Sequence, residues 1–117
     1  MVITSEIIGK LGGGADVEET PVEGTASGST SSEEVFHTVE VPEGETWLVA
    51  AHGTLRSDTE GTRSAQLIVG TTRLPLKTPN GITSLVHVGT GTIEVKLKRN
   101  TGYGFDKFTG HVYTAKM

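Results

Sequence analysis

The chain has no cysteine. Disulfides, thiolate metal sites and thiol nucleophiles are thereby excluded. The absence fits a reducing cytoplasm, and equally a particle assembled there. Long apolar runs are also missing, and no stretch approaches the ~20 residues that a membrane-crossing helix requires. The apolar stretch at the N-terminus carries Glu6 and Lys10, so it does not read as a secretory signal. Aromatic residues are few (one Trp, two Tyr, three Phe), and apolar residues make up only 34% of the 117 positions. Such a chain is long enough for one domain and short for two. Basic residues are outnumbered by acidic ones, 10 to 14, and the net charge of −4 argues against nucleic acid as the main partner.

Several catalytic and binding patterns are missing as well. Glycine is abundant at 16 residues, but Gly102-Tyr-Gly104 is followed by Lys107 where a dinucleotide fingerprint needs its third glycine. No Gly-x-x-x-x-Gly-Lys-Ser/Thr loop occurs. No Gly-x-Ser-x-Gly elbow occurs either, although Asp58 and Asp106 could orient a histidine. His37, His52, His87 and His111 are all more than five residues apart, so no local metal-ligand pair exists. A site could still form between strands, and His52, between Ala51 and Gly53, is the histidine to inspect first. The paired carboxylates Glu18-Glu19 and Glu33-Glu34 read as solvated. No enzyme, cofactor or metal site is expected.

What is present begins with a charge split. Residues 1–34 hold seven acids and one base, a net of −6, while residues 35–117 hold seven acids and nine bases, a net of +2. Such asymmetry suggests a tail beside a folded body. Residues 3–11 read as a short helix, with Ile3, Ile7, Ile8 and Leu11 on one face and Gly12-Gly13-Gly14 ending it. A nine-residue helix needs something to dock on. Residues 15–34 contain no aromatic, leucine or isoleucine and read as an extended arm.

From residue 35 the pattern alternates with period two. Strands are expected over 35–41, 46–55, 65–69, 72–76, 82–88, 92–98 and the closing segment 103–117, separated by turns such as Pro42-Glu43-Gly44 and Gly89-Thr90-Gly91. About seven strands at roughly ten-residue spacing predict a small antiparallel β-sandwich. The chain stops inside the closing strand, which suggests a place deep in a sheet. Lys96, Lys98 and Arg99 read as charge guarding a sheet edge, the alternative being contact with the acidic arm of a neighbouring copy. Trp47, Phe105, Phe108 and Tyr113 are candidates for the core or for a contact between copies, since so few aromatics are available.

The segment Phe105-Asp-Lys-Phe108-Thr-Gly110-His-Val-Tyr113 resembles the last strand of tumour-necrosis-factor-like and complement-like jelly rolls. The segment Val39-Glu-Val-Pro-Glu-Gly-Glu-Thr-Trp47 resembles the strand-turn-strand of small head and tail proteins of tailed bacteriophages. Short helix, arm (1–34) and β-body (35–117) together look like a capsid decoration or minor tail protein. The body is short for an eight-stranded jelly roll, so either a strand is missing or the arm supplies one. The resemblance implies a homotrimer, located on the virion and assembled in the host cytoplasm. Ile3, Ile7, Ile8 and Leu11 would then anchor it to the major capsid protein or another virion protein. Host-surface carbohydrate is the alternative partner, with neither nucleic acid nor membrane involved.

Overall fold

Alternation of apolar and polar side chains puts every second residue on one face of an extended strand. The computed structural model describes residues 17–27, 33–57, 65–76, 81–99 and 105–117. They form β1 (Val17–Ser27), β2 (Glu33–Glu40), β3 (Trp47–Ser57), β4 (Ala65–Val69), β5 (Thr72–Leu76), β6 (Gly81–Gly89), β7 (Thr92–Arg99) and β8 (Phe105–Lys116). The strands build two antiparallel four-stranded sheets, a first with order β1-β8-β3-β6 and a second with order β2-β7-β4-β5. There is no helix among the described residues, and the helix expected over residues 3–11 lies outside them.

The inner faces meet in one core. Val49, Ala51, Leu55, Phe108 and Val112 of the first sheet pack with Val39, Leu67, Val69, Ile93, Val95 and Leu97 of the second. Trp47 is half-buried against this core, and its indole N–H donates to Glu45 Oε1 at 2.9 Å. The closing strand β8 lies inside the first sheet, between β1 and β3.

The largest departure from the sequence reading is β1. Residues 17–27, expected as part of an extended arm, are a strand paired with β8 over their whole length. Val22 and Ala26 are buried in the core between the sheets. Of the two possibilities left open above, the arm supplies the strand. Pro21 is tolerated in it because β1 is an edge strand, where a missing N–H breaks no ladder. Pro75 likewise falls in an edge strand, β5.

Three glycines are needed where they stand. A register shift between Val35 and His37 lets two residues of β2 face one of β7. Val35 is left exposed at 46%, while Phe36 turns inward to meet Phe108 with ring centroids 5.6 Å apart. The Phe36 ring occupies the space that a Cβ on Gly24 would take. Gly110 pairs with Gly53, and a Cβ on either would run into backbone of the facing strand.

The basic run on β7 also differs from expectation. β7 lies between β2 and β4, so Lys96 does not guard an edge. Its ammonium donates to Glu33 Oε1 at 3.1 Å, and Arg73 meets the other oxygen of the same carboxylate at 3.1 Å. Glu33 comes from the chain's own acidic segment, not from a neighbouring copy. Beneath this bridge Ile68, which lies beside both Lys96 and Arg73 in the register, is fully buried on the outer face of the second sheet.

Candidate functional site on the outer face of the first sheet

The pairing of β1 with β8 brings residues together that are remote in sequence. Counting outward positions across the first sheet gives successive rungs. Val17, Ala115, Leu48 and Val88 form an apolar rung. Glu19, Tyr113, Ala50 and Val86 form the next. Pro21, His111, His52 and Ser84 form a polar rung, and Glu23, Thr109, Thr54 and Ile82 a mixed one. The face therefore grades from apolar to hydrogen-bonding along the strands.

Two histidines stand side by side in the polar rung, each with its own partner. His52 Nδ1 lies 2.5 Å from Ser84 Oγ. His111 Nε2 lies 3.6 Å from Glu19 Oε1, and the same carboxylate oxygen accepts a hydrogen bond from the Tyr113 hydroxyl at 3.4 Å. Burial, then the Glu19 charge and hydrogen bond, push the Tyr113 phenol above its ordinary value of 10.0, so it remains a donor at neutral pH. Beside His111 a shallow groove of about 540 Å³ runs along the β1–β8 seam, lined by Pro21, Val22, Glu23, Thr109, Gly110 and His111. Lys107 closes a 3.3 Å ion pair with Glu23 at the charged end.

A serine on a histidine is the first half of a nucleophilic relay, but the carboxylate of this face pairs with His111 and not with His52. Among the described residues no group of three His, Asp or Glu side chains is arranged to hold a metal ion. What the groove offers is the Glu23 carboxylate, the His111 imidazole and the Thr109 hydroxyl, an arrangement suited to hydrogen-bonding a polar ligand.

The residues singled out from sequence are dispersed. Ile3, Ile7, Ile8 and Leu11 lie outside the described residues. Phe108 is fully buried between the sheets, Trp47 flanks the same core, and Tyr113 is on the outer face of the first sheet. Phe105 opens β8. His52 does lie on the candidate face. Glu19, Ser84 and Thr109 were not legible, because only the register of β1, β8, β3 and β6 brings them together. No protein-family model matches the chain, and no curated protein matches it in sequence.

Proposed function

We propose that this chain is a structural virion protein, a homotrimeric jelly roll that decorates and stabilises the capsid of a tailed phage. The observation that supports this reading is the strand order. Apart from the β4–β5 hairpin, successive strands alternate between sheets, so that β1-β8-β3-β6 faces β2-β7-β4-β5. Double-sheet jelly rolls with eight strands recur in viral capsid proteins and in lectins. Attachment to the major capsid protein or another virion protein would run through the segment ahead of β1, at Ile3, Ile7, Ile8 and Leu11. Three copies of that segment per trimer give avidity without a tight single contact. Electron microscopy of purified particles carrying a label on this protein tests the reading. Label on the capsid shell, lost on removal of residues 1–14, is the expected result. Label confined to the tail, or capsid label that survives the deletion, refutes capsid anchoring.

The groove beside His111 favours a second reading, a minor tail or fibre-associated module that binds host-surface carbohydrate. Glu23, Thr109 and His111 would hydrogen-bond sugar hydroxyls there, and lectins share the jelly-roll architecture. A glycan array separates the two. Binding that His111→Ala and Glu23→Ala abolish supports the carbohydrate reading, and silence on the array removes it.

A further inference from the structure

A further rung of the first sheet's outer face lies past the mixed one, at the charged end of the groove. It comprises Thr25 of β1, Lys107 of β8 and Arg56 of β3. Leu55 and Phe108, the strand neighbours of Arg56 and Lys107, are buried between the sheets, so alternation turns the two cations outward together. Arg56 is exposed, and the Lys107 side chain is 42% exposed. Residues directly opposite in an antiparallel pair have Cβ atoms about 4.5–5.5 Å apart, and like charges in that relation destabilise the pair. The Glu23 carboxylate meets Lys107 at 3.3 Å from the far side, across the β1–β8 seam. The second sheet shows what such a pair of cations takes. There Lys96 and Arg73 stand on either side of Ile68, and the Glu33 carboxylate bridges them, one oxygen to each at 3.1 Å.

We propose that Arg56 and Lys107 form an acid-binding subsite that continues the groove, and that its ligand is an oligosaccharide ending in a carboxylate sugar, a uronic or sialic acid. This rests on the carbohydrate reading above and narrows it to one class of sugar. Thr109 joins the two parts. It lines the groove, and on β8 it stands between His111 and Lys107, about 7 Å from each along the strand. The exposed residues Thr25, Thr54 and Thr109 flank the cations with hydroxyls, which both donate to and accept from sugar hydroxyls. The Arg56 guanidinium matches a carboxylate with two parallel N–H···O bonds. Towards the other end, Glu19 lies three rungs from Lys107, about 20 Å away. A second acid there would be repelled, so the ligand carries its charge at one end and lays neutral sugars along Pro21 and His111.

Binding titrations of the full-length protein test the subsite. The probes are oligosaccharides ending in glucuronic or sialic acid, the same oligosaccharides with that carboxylate reduced to an alcohol, and single-stranded DNA as a polyanion control. The acid-ended glycans should bind about tenfold or more tighter than their reduced counterparts, the scale of a charge-assisted contact. Arg56→Gln should remove that preference and leave binding of the reduced glycans unchanged. Arg56→Lys should restore it only in part, because an ammonium lacks the planar fork. Both variants alter an exposed side chain, and thermal melts check that the sandwich persists. Equal binding of acid-ended and reduced glycans overturns the subsite while the carbohydrate reading stands. So does an acid preference that survives Arg56→Gln. DNA bound as tightly as the acid-ended glycans also overturns it, since the cations would then be a general anion patch. Silence towards every glycan removes the subsite together with the carbohydrate reading.

Discussion

At the residue scale, the most constrained contact is the one between Gly24 and Phe36. The β-bulge in β2 aims the ring at Phe108, and β1 accommodates it by omitting a side chain. Gly24→Ala forces the ring off its seat, and overpacking of this kind costs about 1–3 kcal/mol. In a domain of this size that lowers the melting temperature by about 4–8 °C per kcal/mol. Shortening the ring in Phe36→Leu should recover part of the loss in the Gly24→Ala background but not in the wild type, a coupling that a double-mutant cycle measures. Two further residues set the acid limb of the stability curve. Burial holds His37 below its ordinary 6.5. Hydrogen bonds from Lys96 and then Arg73 hold Glu33 below its ordinary 4.5. Both groups bind protons more readily in the unfolded chain, so both contributions are present at neutral pH and are lost on acidification. Stability should fall first as pH drops through about 6.5 and again below about 4.5. His37→Gln should flatten the upper step and Glu33→Gln the lower one in urea titrations run at successive pH values. A profile unchanged by either substitution would remove these groups as the cause.

At the element scale, the legibility of each strand follows the size of its inward side chains. β3, β4, β7 and β8 bury Leu, Ile, Val and Phe at alternate positions, and the period-two pattern places them within two residues of their observed bounds. β1 buries Val22 and Ala26 and has glycine between them, so its inward face carries little hydrophobic signal. Its outward positions include Glu19, Pro21 and Glu23, which look like solvated arm. What makes it a strand is its partner: eleven residues of β8 supply the ladder, and Lys107 and His111 sit opposite its acids. The candidate face was illegible for the same reason, since a register is a property of two strands and a sequence gives one at a time. Val22→Asp separates strand from arm. In an arm it would be silent. In β1 it leaves a carboxylate unpaired between the sheets, which costs about 3–5 kcal/mol. Urea denaturation should show a loss of that size, while Glu23→Gln, which removes only an exposed ion pair, should change stability by less than about 1 kcal/mol.

At the scale of the whole molecule, the charge split that suggested tail and body is in part a complementarity within one fold. Glu19, Glu23 and Glu33 of the acidic N-terminal third meet His111, Lys107, Arg73 and Lys96 of the remainder. Among the described residues in the strands of the first sheet, the large apolar side chains left exposed are on β6. Among the described residues β6 is an edge strand, and it carries Ile82 and Val88 outward at 70% and 47% exposure. An apolar, exposed edge is where a sheet recruits another chain unless something blocks it. Contact between copies in the proposed trimer should therefore involve β6. Ile82→Lys with Val88→Lys places two charges on that strand without touching the core. Light scattering should then report a monomer in place of the trimer, with the sheet signal in circular dichroism retained. Val35→Lys, on the edge strand β2 of the other sheet, should leave the trimer intact. If the double lysine variant remains trimeric and Val35→Lys dissociates, the copies meet through the second sheet. A wild-type chain that is already monomeric removes the trimer itself.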